Sequence, residues 1–303
     1  MNYTFKPRTG GRYLLSIALL MALVLYIPSC SKGGGENGTQ NPEEEEEVYV
    51  PVKSHYPKAR KSFRIVTYNI GNFGKYISNM SENVALVADL LKELDADVVG
   101  LNELDSCNTR HWANQARTLA VSMGNWQWYF GRAIQYKGGA YGNGVIVPPT
   151  VVILNKYTVA LPNPTTYESR SIAVVETDKY VFGACHLDHS TEDYIQTQIA
   201  AVNAWAAEKY TDCKKPVFLV GDMNAVTGSA AIKALETSWE IISANENSAG
   251  GNVNPTRCID YIFHYRKSAA VKVVGGHTPM EFYAGDVTQA SDHHPVYADI
   301  EFL

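Results

Sequence analysis

Four apolar runs of this 303-residue chain stop at polar residues that could hold a cation, bind a phosphate or move a proton. Phe63–Tyr68 ends in Asn69, Asp97–Leu101 in Asn102 and Glu103, Val181–Cys185 in His186, and Val217–Val220 in Gly221-Asp222-Met223-Asn224. Near the C-terminus, Ser291-Asp292-His293-His294-Pro295 leads into a fifth run. One capped run would be unremarkable. Several imply a polar cluster at one edge of a sheet, where α/β folds place their sites. Carboxylate and amide oxygens, with few histidines and no paired cysteines, suit a hard cation such as Mg²⁺ or Mn²⁺ rather than zinc. An Asp left over could orient or deprotonate water. His and Asn could donate to charge building on phosphoryl oxygens. Together these residues fit metal-assisted phosphoester hydrolysis.

These residues need a scaffold that gathers them. Asn69 and Glu103 flank a helical pattern of Val84, Val87, Leu90, Leu91 and Leu94, so a strand–helix–strand unit would bring both strand ends to one edge. Asp222 and Asn224 are two apart and would share a face on extended backbone. Asp292 and His293 are adjacent, which drives their side chains apart unless a turn intervenes; Pro295 makes one plausible. Further helices are expected over 111–123 and 191–209. Further strands fit 125–130, 144–147, 150–154, 217–220, 259–263, 271–274 and 296–301, with a hairpin of 172–176 and 181–185 around Thr177-Asp178-Lys179. Strands joined sometimes by helices and sometimes by hairpins predict mixed sheets with helical cover, an α/β sandwich. Gly138–Gly144 reads as a loop rather than a phosphate cradle, because no Lys-Ser/Thr follows it. Trp126, Trp128, Tyr129 and Phe130 read as strand and core.

The ends of the chain carry different information. Lys6, Arg8 and Arg12 precede an apolar run, Leu14–Ile27, that falls short of the roughly 20 residues of a membrane-spanning helix. It ends in Ile27-Pro28-Ser29-Cys30 and resembles a bacterial lipoprotein signal peptide over 1–29, with Cys30 as the acylated residue. An ordinary secretory peptide or an uncleaved anchor are the alternatives, and each puts the body outside the cytoplasm. The expected location is a bacterial membrane facing away from the cytoplasm, the outer membrane or cell surface before the inner membrane. Residues 30–60, with Gly33–Gly35 and Glu43–Glu47, read as a flexible acidic tether. One domain, 61–303, then remains, expected to be monomeric. Lys and Arg number 26 against 31 Asp and Glu, a net charge of −5, which does not favour a protein that coats nucleic acid. Cys107, Cys185, Cys213 and Cys258 could be bridged or free.

The segments TYNIGNF (67–73), LNELD (101–105), GNGVIV (142–147), CHLDH (185–189), GDMN (221–224), IDYIF (259–263) and SDHHPV (291–296) resemble, in order and spacing, the endonuclease/exonuclease/phosphatase family. Its superfamily includes DNase I, apurinic endonucleases, sphingomyelinases and inositol-polyphosphate phosphatases. Each segment is weak alone, and seven in order are specific. The resemblance implies a DNase I-like four-layer sandwich, two mixed β-sheets face to face with helices outside. It places Asn69 and Glu103 at metal and phosphate, Glu103 as main ligand, and makes Asp260 a further acidic ligand. His186 would contact the scissile phosphate, while Asp222 and Asn224 would position water and bind phosphate. Asp292 would orient His293, the second catalytic histidine, and either His293 or Asp222 would be the base. Arg170 would support the phosphate site. His294, Asp188, His189 and Asp105 are left with packing, bracing or surface roles.

The implied activity is a divalent-metal-dependent phosphodiesterase or nuclease-type hydrolase, attached to a membrane through Cys30. Its substrate would be nucleic acid, a phospholipid head group or a small phosphate ester. The alternatives are a phosphomonoesterase on sugar or inositol phosphates, or a silent binding lipoprotein of the same fold.

Overall fold

Alternating β-branched and aromatic residues extend Phe63–Asn69 as β1, whose residues after Phe63 are all buried, as in a strand covered on both faces. The computed structural model describes residues 52–163 and 168–303. The signal peptide, Cys30 and most of the tether lie outside the described residues.

From β1 the chain runs through α1 (Met80–Glu93), β2 (Val98–Ser106), α2 (Gln115–Ser122), β3 (Gln127–Tyr136), β4 (Gly139–Val147), β5 (Ile153–Ala160), β6 (Ser171–Thr177) and β7 (Val181–Cys185). It continues as α3 (Glu192–Tyr210), β8 (Val217–Asp222), α4 (Ala230–Glu236), β9 (Trp239–Ile241), β10 (Asp260–Tyr265), β11 (Val271–His277) and β12 (Val296–Phe302). One six-stranded sheet has the order β11-β12-β1-β2-β4-β3, the other β5-β6-β7-β8-β10-β9. Both are mixed. β1 runs parallel to β2 and β7 parallel to β8, with α1 and α3 as the crossovers, while the remaining pairs are antiparallel.

Three apolar layers hold this together. Ile65, Val98, Val145, Phe182, Phe218 and Val220 fill the space between the sheets. Val84, Val87, Leu90 and Leu119 cover the outer face of the first sheet, and Ile195, Ile199, Val202 and Trp205 that of the second. The result is the four-layer sandwich expected from the sequence. At Gly100 the sheets approach so closely that a Cβ would lie 2.3 Å from Val220 Cγ2.

Several boundaries moved for local reasons. The second helix starts at Gln115, not 111, because Asn108 Oδ1 accepts from the Arg110 and His111 amides in a tight loop. Asn114 then caps the helix by accepting from the Arg117 amide. Gly138–Gly144 is not a loop. Lys137 (φ 46°) and Gly138 (φ 83°) make a two-residue hairpin turn, and β4 begins at Gly139. Residues 52–60, read as the end of the tether, carry anchored side chains: Lys58 pairs with Asp95 and Asp97, and Tyr56 packs on Tyr297 and Phe282. Cys107, Cys185, Cys213 and Cys258 are free thiols.

Candidate active site

The parallel pairing of β1 with β2 sets Asn69 beside Asn102, so both strand ends reach one edge, as the strand–helix–strand reading requires. Glu103 is turned inward by a bulge. The register of β2 against β4 slips between Leu101 and Leu104, and Glu103 takes φ 60° within it. Asn69 Nδ2 then donates to Glu103 Oε1 and to Asp222 Oδ2, both at 3.2 Å. The end of β8 runs hard against that of its sheet neighbour β7. A Cβ on Gly221 (φ 137°) would lie 1.8 Å from Cys185 O, so only glycine fits there. Asn224 is not on extended backbone as its spacing predicts. It sits at φ 50°, and its amide donates to Asp222 Oδ1 at 2.8 Å in a turn that still delivers both side chains to the site.

Asp222 is the centre of the group. Besides Asn69, His186 Nε2 stands 3.6 Å and His293 Nε2 3.7 Å from its Oδ2. Asp260 lies opposite Asp222 across the β8–β10 ladder. Burial and the charge of Asp260 push the Asp222 carboxyl up to about 7, against the opposing pull of His293.

One assignment carried by the resemblance is corrected by the geometry: Asp292 was placed behind His293, and Asp260 holds that position. Asp260 Oδ2 accepts from His293 Nδ1 at 2.8 Å and from Ser248 Oγ at 2.6 Å, while its other oxygen, buried without a hydrogen-bond partner, stays available to a cation. Asp292 follows the rule for neighbours in sequence and points away from the imidazole, to Lys75 Nζ at 2.7 Å. Burial would depress the His293 pKa, but Asp260, Asp222 and Asp292 outweigh it and raise it to about 10. His293 therefore carries a proton at neutral pH.

His186 is its opposite. Burial, with the charges of Arg170 and His293, holds it well below the usual histidine range and hence neutral. Arg170 Nη1 stands 3.2 Å from His186 Nδ1 and donates to Glu168 Oε1 at 2.9 Å. A guanidinium can only donate, so Nδ1 is the lone-pair nitrogen and the proton sits on Nε2, towards Asp222 Oδ2; Asn224 Nδ2, itself a donor to Leu187 O, is not its acceptor. Arg170 thus fixes a tautomer, a more specific task than general support. Its Nη2 also reaches His189 Nδ1 at 3.1 Å. Asp188 accepts from the Ser190 amide and braces the same loop. His294 is buried, its ring against Asn252 O at 2.7 Å. Asp105 is no surface group: it is buried and gripped by Arg110.

Sequence reasoning marked Asn102 as a strand end without giving it a role, and it missed other contributors. Asn102 donates to Asn143 Oδ1 and Cys185 O and accepts from the Asp222 amide, stitching the two sheets together beneath the site. Its place in LNELD, with Asn143 in GNGVIV, was the available signal. Lys75 and Arg257 had none. Glu103, Tyr141, Glu168, Arg170, His186, His189, Asp222, Asn224, Arg257 and His293 line an open cavity of about 460 Å³.

A two-sheet sandwich with carboxylate, amide and imidazole groups converging at one strand edge defines a class of phosphoester-cleaving proteins. The sequence profile of the endonuclease/exonuclease/phosphatase family matches residues 66–293, and the chain belongs to that family. A family member from Bacteroides vulgatus is similar in structure, at 19% identity and TM-score 0.64, over 80% of this chain and 100% of that one. A mannosyl-6-phosphatase from Bacteroides thetaiotaomicron matches at 17% identity and TM-score 0.64, with the same coverage. The human Nocturnin catalytic domain matches at 16% and 0.60, over 80% and 94%. No curated protein sequence matches the chain.

Members of this family generally use a divalent metal, and the residues present fit one. Asp222, Asp260 and His293 bring ligand atoms within 4.8 Å of one another, all three buried. Asp260 Oδ1 is buried with no hydrogen-bond partner. His293, holding a proton, is the poorest ligand of the three. The oxygens of Glu103, Asn69, Asp222 and Asp260 make a donor set for a hard cation.

Proposed function

We propose that the chain is a divalent-metal-dependent phosphoester hydrolase in which Asp222 handles the attacking water. The observation that carries this reading is the ring of donors around Asp222 Oδ2, namely Asn69 Nδ2, His186 Nε2 and His293 Nε2, opening onto the cavity beside Glu103. Glu103 and Asn69 would hold Mg²⁺ or Mn²⁺, with Asp222 and Asp260 oxygens within reach. When bound, the ion neutralises charge on the phosphoryl oxygens.

The protein's own groups supply the rest. A carboxylate raised to about 7 is poised to take a proton from water near neutral pH. The protonated His293 and the Nε2–H of His186 donate to phosphoryl oxygens as charge builds on them. As the water oxygen bonds to phosphorus, the P–O bond to the leaving group breaks. The water proton passes to Asp222, and the leaving oxygen takes a proton from the protonated His293 or solvent.

A panel of phosphate mono- and diesters, assayed with and without EDTA, tests the proposal. Hydrolysis should vanish with the chelator and return with Mg²⁺ or Mn²⁺, and Glu103→Ala should lower kcat/KM at least about 100-fold without unfolding the protein. Turnover unaffected by EDTA, or a fully active Glu103→Ala, would reject it.

The lipobox-like ending at Cys30 supports attachment to a bacterial membrane outside the cytoplasm. Two acyl signals anchor a protein far more firmly than one. Labelled fatty acid should enter the wild-type protein in cells, and Cys30→Ala should abolish the label and free the protein from the membrane fraction. Equal labelling of both would end the anchor assignment.

A further inference from the structure

A second cavity, of about 130 Å³, adjoins the catalytic one and shares Glu103, Tyr141 and Glu168 with it. Its other walls include Asn72, Arg110 and Tyr136. We infer that this cavity is the subsite for the group esterified to the phosphate, and that it takes a neutral polyhydroxylated ring, a sugar or cyclitol, rather than a nucleotide chain or a lipid. The inference rests on the phosphoester-hydrolase reading and names its substrate class.

Three features carry it. The first is shape. The Tyr136 and Tyr141 rings have centroids 6.1 Å apart at 55°, a corner of a size that suits a single small ring.

The second is hydrogen-bond capacity. Among the described residues neither tyrosine hydroxyl has a hydrogen-bond partner, and Glu168 commits one carboxylate oxygen to Arg170 while its second is uncommitted. Such a lining rewards a ligand with many hydroxyls. An acyl chain would leave these groups dehydrated and unpaired, a difference that a polar site turns into discrimination.

The third is charge. The pocket's cation, Arg110, is already neutralised by Asp105, with Nε to Oδ2 at 2.6 Å and Nη2 to Oδ1 at 2.9 Å. Its guanidinium lies 5.1 Å from the Tyr136 ring centroid and 5.9 Å from that of Tyr141, which fixes the corner. Glu168 is paired with Arg170 at 2.9 Å and Glu103 faces the catalytic cation. None of the residues lining the pocket is left as an unpaired cation for a second phosphate, which every internal unit of a nucleic acid strand would bring.

The test compares kcat and KM of the wild type and Tyr136→Ala on a hexose 6-phosphate, an inositol monophosphate, methyl phosphate and a short oligonucleotide. Tyr136 lines the second cavity and not the catalytic one. In Tyr136→Ala, KM for the ring-bearing monoester that the wild type prefers should rise about 10–100-fold, while kcat/KM on methyl phosphate stays within about 3-fold. Tyr136→Phe, which keeps the ring, should recover most of the loss. The hexose and inositol arms tell the two ring sources apart. Equal losses on methyl phosphate and the ring substrates, or an oligonucleotide as the preferred substrate, would overturn the subsite. If no ester is turned over, the hydrolase reading fails on its own. Calorimetric binding of hexose 6-phosphate and inositol monophosphate then decides the subsite, and affinities unchanged by Tyr136→Ala would overturn it.

Discussion

Replacing Asp260 with Asn should leave the fold intact and lower kcat by about 1,000-fold or more, comparable to the effect of an Asp→Asn exchange behind a catalytic histidine elsewhere. The carboxylate accepts from His293 Nδ1 at 2.8 Å and from Ser248 Oγ at 2.6 Å. Ser248 Oγ would find the same acceptor in the amide oxygen of Asn. The imidazole would lose the charge that keeps it protonated, and could be faced by an amide NH₂ instead of an acceptor. The sign of the pH effect follows. His293 has its pKa raised to about 10, so its contribution to stability is fully present below the unfolded value near 6.5 and is lost as pH rises through about 10. Removing Asp260's charge brings the folded value down, so both the imidazolium and that stability disappear at lower pH. Histidine NMR titration of the two proteins, beside pH–rate profiles and circular dichroism, measures this. A His293 that titrates unchanged, or a variant with full kcat, would mean that Asp260 is not its partner.

That pairing also marks the limit of what the sequence could tell. Strand ends were legible because β-branched and aromatic runs stop at polar residues, and the parallel placement of Asn69 and Glu103 followed from the helix between them. The helix faces of Val84–Leu94 and Ile195–Trp205 reported the outer layers, since their periodicity encodes burial directly. Asp260 and Asp292 could not be sorted in this way. Their roles depend on which strand lies opposite which, and the β8–β10 register that sets Asp260 against Asp222 is a property of the assembled sheet. The role of Asn102 hid for the same reason. Its three partners come from β4, β7 and β8, all remote in sequence. Glu103 was found from its motif, but the bulge that aims it was not, because a one-residue slip leaves no mark in composition. Short elements such as α4 and β9 carry too few residues for a period, and tertiary contacts made them.

The largest stability effect should come from breaking the pair formed by Arg64 and Asp299. Arg64 sits near the start of β1 with no exposed surface, where a guanidinium would be costly without partners. Its Nε and Nη2 donate to the two oxygens of Asp299, each at 2.7 Å, and its Nη1 donates to Tyr56 O and Leu94 O at the same distance. The group also lies 4.0 Å from the Tyr297 ring centroid. One side chain therefore ties β1 to β12, to the end of α1 and to the segment that leads into the domain. Asp299→Ala would strand the buried charge and should cost about 3–5 kcal/mol, on the order of 10 °C in Tm for a domain of this size. Arg64→Lys should recover little, because an ammonium cannot form the two-pronged bond and reach both carbonyls at once. The double variant Arg64→Met/Asp299→Leu removes both charges and should lose much less than Asp299→Ala alone. Urea unfolding of the three variants gives the comparison. Single and double variants of equal stability would show that the ion pair is not what holds this corner. Because Arg64 is at the start of β1 and Asn69 at its end, a folded Asp299→Ala protein should keep the kcat of the wild type at temperatures below its transition.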